Sequence, residues 1–309
     1  MNNKRYDLVA VGHALVDIRI VVDKFPGPDE EAKVINQVWG AGGSAVNVAI
    51  DASRLGLKTA VIAKIGFDSF GRIIVDELLR EGVDITGLRV SSKGQTGFTV
   101  VVIDRNGDII MYGYKGVAEE LGSSDIVDDM IANARYVHIA SLRVDTSLRV
   151  VETARENNVT VTWDPGRVLS ARGIRELESL IKQVNIITLN SKEAALLTGL
   201  KPEEYREAAK TIKSLGPELV VVKLGSKGVY ALGNNIDEEI PAIRVGKTVD
   251  TTGAGDAFIA GLISGLIRGY TLRKAILYAN AVAALKITRL GSHEAPRHNE
   301  VVEYIWETI

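Results

Sequence analysis

The sequence predicts an α/β fold: a doubly wound, mostly parallel sheet flanked by helices, with a small β-sheet lid over its ligand side. Three observations carry that expectation. Short β-branched runs alternate with longer helical patterns, the signature of strand–helix–strand units. Several of those runs are apolar on both faces, as parallel strands covered on both sides must be. Two stretches break the alternation by placing strand directly next to strand.

Taken in order, YDLVAVG (6–12) reads as the first strand. Residues 15–38, LVDIRIVVDKFPGPDEEAKVINQV, then read as two strands joined by a Pro/Gly turn. SAVNVAIDASRLG (44–56) is a helical pattern, TAVIAKIG (59–66) a strand, and SFGRIIVDELLREG (69–82) a helix. Residues 97–114, GFTVVVIDRNGDIIMYGY, read as a hairpin whose Asn106-Gly107 pair favours the tight turn. The stretches 15–38 and 97–114 together supply the four strands of the lid. Further strands are ARYVHIA (134–140), VTVTW (159–163), VNIITL (184–189) and ELVVVKL (218–224), with helices at 146–158 and 202–216. From Thr251 onward the pattern is helical, so helices are expected to close the ligand side. No repeat or long linker divides residues 1–309, which read as one domain.

Composition narrows the function. Of 309 residues, 46% are hydrophobic and 25% charged, enough chain for a substantial core. The 37 basic and 39 acidic side chains leave no cationic excess to neutralise phosphates, so no nucleic-acid partner is expected. The lack of cysteine excludes disulfides, thiolate catalysis and Cys-ligated zinc, and fits a reducing cytoplasm. The four histidines, His13, His138, His293 and His298, show no HExxH spacing, which argues against a zinc hydrolase. Asp7 and His13 interrupt the first apolar stretch, so it does not read as a signal peptide. FIAGLISGLI and AILYANAVAALKI fall short of the ~18 apolar residues of a membrane span, so the expectation is a soluble cytoplasmic protein.

The most informative stretch is DTTGAGDAF, from Asp250 to Phe258, running into a helical pattern. A glycine-rich turn at a helix start leaves main-chain N–H groups unpaired at the positive end of the helix dipole, which suits an anion. Asp256 falls in the first turn, beside such an anion, where it is a proton acceptor rather than a ligand. Amides and dipole are expected to keep it ionised at pH 7, as a general base requires. A simple helix cap would explain one small residue and an acid. Gly253, Ala254 and Gly255 in succession favour close approach of a ligand.

Gly40-Ala41-Gly42-Gly43-Ser44-Ala45-Val46-Asn47 lies between a strand and a helix. Gly40, Gly42 and Ala45 match G-x-G-x-x-A, but the next strand ends in Ile65-Gly66 without the ribose-binding acid, so a dinucleotide oxidoreductase is a remote alternative. Asn47, among apolar neighbours, needs a partner that a substrate hydroxyl would provide. Asp17 and Arg19 share one face of their strand and by themselves read as a half-exposed surface pair, with Ile18, Ile20 and Val22 on the other face. Asn190 and Glu193 have capping-box spacing. Lys223 to Gly228 closes a strand as a hairpin turn. Gly246-Lys247-Thr248 is no Walker A, because Pro241 stands where its upstream glycine belongs. His138 reads as a core residue.

Together, GGSAVNVA and DTTGAGDAF resemble the two signatures of the ribokinase-type (PfkB) family of carbohydrate kinases, in similar order and spacing over essentially the whole chain. TLNSKEA resembles that family's Asn-x-x-Glu element and KLGSKG its nucleotide-site turn. The resemblance implies a ribokinase-like core with a β lid, and Mg²⁺-dependent transfer of the ATP γ-phosphoryl group to a sugar hydroxyl. It implies Asp256 as base, with the amides of Gly253, Ala254, Gly255 and Asp256 around the transferred group. Asp17, Gly43 and Asn47 would bind substrate hydroxyls, with Asp17 reaching inward from the lid. Asn190 and Glu193 would place Mg²⁺ and phosphate, Glu193 through water. Lys223, Gly225, Gly228 and Asn280 would border the nucleotide.

VGHALVD followed by KFPGP resembles archaeal nucleoside kinases of the family, so a nucleoside is the alternative acceptor. DPGR, Asp164 to Arg167, loosely resembles a D-x-N-x-R element, with Gly166 in place of its Asn. Some relatives use ADP as donor. A non-catalytic sugar-binding protein is a further alternative, which the intact Asp256 and Gly-Ala-Gly run oppose. The apolar face of Ile18, Ile20 and Val22 suggests a homodimer through the lid.

Overall fold

The structure, a computed structural model, describes residues 4–106 and 108–308. Gly107 of the expected Asn106-Gly107 turn lies outside the described residues. The chain runs β1 (Tyr6–Gly12), β2 (Leu15–Val22), β3 (Val34–Gly42), α1 (Ser44–Arg54), β4 (Thr59–Gly66), α2 (Ser69–Arg80), β5 (Asp84–Ser91), β6 (Thr96–Ile103) and β7 (Ile109–Gly116). It continues α3 (Asp128–Ala132), β8 (Ala134–Ala140), α4 (Val144–Glu156), β9 (Thr160–Asp164), α5 (Gly166–Ser170), α6 (Ile174–Ile181), β10 (Ile186–Asn190), α7 (Ser191–Thr198) and α8 (Tyr205–Lys213). It ends β11 (Leu219–Lys223), β12 (Val229–Gly233), β13 (Ile236–Ile240), α9 (Ala254–Ile267), α10 (Leu272–Lys286) and α11 (His298–Thr308).

Nine strands form the main sheet in the order β13-β12-β11-β10-β9-β8-β1-β4-β5. All its pairs are parallel from β11 to β5, and β12 and β13 extend it as an antiparallel edge. Alternate residues of one strand enter opposite cores: Val9 and Val11 join the layer of α4, α6 and α8, while Leu8 and Ala10 face α1 and α9. Burial of both faces is the reason these strands read as apolar throughout. The chain leaves β1 toward β4 on one side and β8 on the other, so the sheet order reverses beside β1. A crevice opens at such a point beyond the carboxyl ends of the strands. Gly12, Ala140, Asp164, Asn190 and Lys223 occupy those ends of β1, β8, β9, β10 and β11.

The second sheet has the order β3-β2-β6-β7, with β2 and β6 parallel and the outer pairs antiparallel. It is the small sheet expected from 15–38 and 97–114. α9 and α10 form an antiparallel hairpin whose axes approach closely. A Cβ on Gly261 would lie 2.8 Å from the Ala279 Cα, and one on Gly265 2.9 Å from the Ala275 Cα. The start of α9 and the end of α10 therefore lie side by side.

Some boundaries differ from the sequence expectation. The strands expected at 159–163 and 184–189 run 160–164 and 186–190, and the helix expected at 146–158 runs 144–156. The segment 202–216 opens as a 3-10 turn at Pro202–Glu204, leaving α8 to residues 205–213. The edge strands β5 and β13 went unread because they lie half in solvent and carry charges, so they lack the uniform apolar signal of the interior. α3 and α5 span five residues each, too short for a helical period to show.

Candidate active site

The turn into α9 is shaped by main-chain packing. Gly253 has φ +75° and ψ 2°, and a Cβ there would stand 1.8 Å from the Ser292 carbonyl oxygen. Only glycine satisfies both the left-handed backbone and that contact. Just upstream, Asp250 is a hub. Its Oδ1 accepts the Thr252 N–H at 2.9 Å, and its Oδ2 accepts the Gly291 N–H at 3.1 Å and pairs with Arg19 Nη1 at 2.9 Å. Among the described residues, the N–H groups of Gly253, Gly255 and Asp256 have no protein acceptor. Ala254 corrects the expectation of four cradle amides: its N–H donates to the Thr251 carbonyl at 3.2 Å, because the turn closes on itself before the helix begins. Ala254 contributes a small side chain and three amides remain.

Asp256 sits at the head of this cradle. Its Oδ1 accepts from Ser44 Oγ at 2.5 Å and its Oδ2 from Asn47 Nδ2 at 2.8 Å. Both donors come from the first turns of α1, three residues apart and so on one helix face. Gly43, immediately before them, is pressed against the His13 carbonyl, 2.4 Å from where a Cβ would be. Burial raises the Asp256 pKa to about 6, against the Ser44 and Asn47 hydrogen bonds that favour the carboxylate. The expectation that amides and dipole dominate is thereby corrected: desolvation wins, yet the group is still mostly ionised at pH 7. Asn47 is corrected too. Its Nδ2 is spent on Asp256, and its buried Oδ1, which has no partner among the described residues, is what remains for a hydroxyl.

Lys223 borders the cradle from the side of β11, its Nζ 3.2 Å from where a Gly255 Cβ would lie. It pairs with Asp164 Oδ2 at 2.8 Å. Burial opposes its charge, but the carboxylates of Asp164, Glu193 and Asp256 outweigh it and hold the ammonium above its ordinary pKa. Asn190 and Glu193 form a complete capping box at the start of α7, Asn190 Oδ1 accepting the Glu193 N–H at 2.9 Å and Glu193 Oε2 the Asn190 N–H at 2.8 Å. Burial and the nearby Asp164 raise the Glu193 pKa.

Among the described residues no three His, Cys, Asp or Glu side chains cluster as a metal cage. Mg²⁺ at a phosphate does not need one, since it keeps waters and takes one or two carboxylates. Glu193 keeps its carboxylate at the carboxyl end of β10 with the Asp164 carboxylate close enough to raise its pKa, so the residues present fit such an ion.

The remaining nucleotide-side residues make structural contacts away from Asp256. Gly225 has φ +62° and open space around it. Gly228 has φ +102°, and a Cβ there would stand 2.1 Å from the Ile240 carbonyl oxygen, so β13 alone demands glycine. Asn280 Nδ2 donates to the Pro241 carbonyl at 2.9 Å. His138 is a core residue as expected, bonded to Thr162 Oγ1 at 2.9 Å and pushed by burial to a pKa of about 4.

The lid turns its polar face inward, which corrects the half-exposed placement of Asp17 and Arg19 while keeping them paired, Arg19 Nη2 lying 3.9 Å from Asp17 Oδ2. Asp17 is 14% exposed and lies 2.4 Å from where a Gly42 Cβ would be, so β3 passes it only because position 42 lacks a side chain. Burial raises its pKa, against a Ser292 hydrogen bond and the charges of Arg19 and His293. Arg19, 4% exposed, reaches Asp250, while among the described residues its Nε and Nη2 find no hydrogen-bond acceptor. His293 Nε2 lies 3.0 Å from Glu77 Oε1, and the other Glu77 oxygen accepts the Ala41 N–H at 2.5 Å. On the outer face, Ile18 and Val22 are buried and Ile20 half-buried, whereas Trp39, Ile110, Tyr112 and Tyr114 are exposed. Sequence reasoning missed Ser44, Arg19, Ser292 and His293 as site residues. Ser44 alone had a signal, its three-residue offset from Asn47.

The profile of the family described as pfkB family carbohydrate kinase matches residues 5–299. The ATP-dependent ribose-1-phosphate kinase of Halopiger xanaduensis is 33% identical over 97% of this chain and 98% of its own. The nucleoside kinase of Methanothermobacter thermautotrophicus is 30% identical over 93% and 91%. The structure of Arabidopsis thaliana ribokinase complexed with ribose and ATP superposes with a TM-score of 0.84 at 26% identity, over 96% of this chain and 98% of the other.

Proposed function

Because the chain belongs to the pfkB family of carbohydrate kinases, we propose that it moves the γ-phosphoryl group of ATP onto a hydroxyl of a small sugar held between the lid and Asp256. The observation that carries this reading is the Asp256 carboxylate, with a pKa near 6, at the head of three unpaired main-chain amides. The acceptor hydroxyl gives its proton to Asp256 as its oxygen bonds to phosphorus and the bond to the β-phosphate oxygen breaks. Such a transfer is loose, so positioning and charge stabilisation dominate and a weak base suffices. Gly253, Gly255 and Asp256 donate amides to the migrating group, and Lys223 adds positive charge beside it. Ala254 keeps that approach open.

Asp17, the Asn47 carbonyl oxygen and the main chain at Gly43 hold acceptor hydroxyls. Glu193, through water, and Asp164 would hold a Mg²⁺ ion brought with the nucleotide, and the ion would supply neutralisation of phosphate charge. Asn190 orients Glu193 through the capping box. Gly225, Gly228 and Asn280 shape the nucleotide wall through the turn and the 240–242 segment. Residues 1–309 act as one domain with its lid at 15–38 and 97–114, a cytoplasmic enzyme that pairs through the apolar residues exposed on the lid. Light scattering giving a monomer at assay concentrations would remove the dimer.

A nucleoside is the second acceptor class, favoured by the nucleoside kinase among the relatives. The deciding experiment measures ADP release from ATP, and AMP release from ADP, over ribose, ribose 1-phosphate, fructose and a nucleoside panel. Turnover with one acceptor names the substrate. Tight sugar binding with no turnover for any of them would make this a binding protein.

A further inference from the structure

One buried charge beside the cradle has no part in the reaction described above. Lys286 is the last residue of α10 and is fully buried. Its ammonium donates to the carbonyl of Asp250 at 3.0 Å and to that of Thr252 at closer range. The same helix end grips the incoming chain a second time, the Ile287 carbonyl accepting the N–H groups of Val249 at 2.8 Å and Asp250 at 3.1 Å. The helix C-terminus, with its unpaired carbonyls, is a favourable place for a cation. Burying an ammonium is costly unless it is well partnered, so its position needs a reason.

Peptide planarity supplies the reason. The C=O and N–H of one trans peptide point in opposite directions. Holding the Thr252 carbonyl toward Lys286 therefore aims the N–H of the next residue, Gly253, away from Lys286, and that N–H is one of the three with no protein acceptor. Two carbonyls converging on one point repel each other without a cation between them. The left-handed Gly253, jammed against the Ser292 carbonyl, leaves little other freedom in the loop.

We propose that Lys286 is a positioning residue for phosphoryl transfer: its ammonium locks the Asp250 and Thr252 peptides so that the Gly253 amide faces the transferred group. This rests on the cradle reading above. It adds that the cradle is aimed from behind by a tethered cation that never touches substrate.

The test uses the full-length enzyme with an acceptor identified by the panel. In Lys286→Met, kcat should fall ~10²-fold, the cost of misaiming one such donor, while the acceptor KM changes little. Amide hydrogen exchange should rise at 251–256 while the interior of α9 and α10 stays protected. In Lys286→Ala, ammonium or methylammonium should restore a substantial part of the lost kcat, and the same salts should do nothing for Asp256→Asn. Retention of kcat within about twofold in folded Lys286→Met would overturn the proposal. So would loss of kcat without local exchange, or unfolding of both Lys286 variants, since the residue would then serve stability alone. An enzyme inactive with every acceptor fails the kinase reading instead, and the exchange measurement still judges Lys286.

Discussion

In the proposed reaction the cradle and the lid face the same acceptor, but they are built from different parts of the polypeptide. The cradle is main chain: three amides held by a left-handed glycine, an aspartate hub and the 291–295 segment, all fixed by packing between buried elements. The lid is side chain: Asp17 and Arg19 project inward from a sheet whose edge strands β3 and β7 are largely exposed. The difference separates two tasks. Stabilising a migrating phosphoryl group is the same problem for every acceptor and suits atoms that substitution cannot remove. Choosing the acceptor requires groups that can be exchanged one at a time.

The largest break in that division should come from Asp256→Asn. Loss of the base is expected to lower kcat by ~10²–10⁴ with nucleotide and acceptor binding retained, measured by steady-state kinetics beside calorimetric binding. Gly253→Ala comes next, because its methyl group would collide with the Ser292 carbonyl. The amides should move, lowering kcat by ~10²-fold, and a thermal melt should show lost stability as well. Asp17→Asn, on the lid side, should do the opposite and raise the acceptor KM ~10-fold with little change in kcat, the worth of one charge-assisted hydrogen bond.

The smallest effect is that of pH. As the proposed base, Asp256 must be deprotonated to act, and burial raises its pKa to about 6. Acceptor turnover should therefore be level above pH 7 and decline as pH falls through 6, approaching ~10-fold per unit below it. A profile level down to pH 5 would show that the step does not need the carboxylate. If Asp17→Asn lowered kcat as much as Asp256→Asn, the division between cradle and lid would collapse.

What could be read in the sequence follows the same line. DTTGAGDAF is contiguous, and its small residues and acid announce their purpose by proximity alone. The strand-next-to-strand stretches revealed a second sheet because a missing helix is a local fact. The Ser44–Asp256 contact spans 212 positions, and the Asp256 pKa is raised by burial in the folded chain. No periodicity reports either. Arg19 looked like half of a surface pair because alternation says which residues share a face but not which face meets the protein. Ala254 lost its amide to a turn whose closure depends on the backbone angles of Gly253.

The close contact of α9 with α10 carries the last lesson. Gly261 lies five residues along the helix from Asp256, roughly 7.5 Å away, and bears directly on Ala279. The hairpin works as a calliper whose thickness is set by two missing methyl groups and whose jaws are the head of α9 and the tail of α10. Widening it at Gly261 would part those jaws without touching a single group that meets substrate. A hunt for inactivating substitutions confined to the pocket would pass over the residue that sets the gauge.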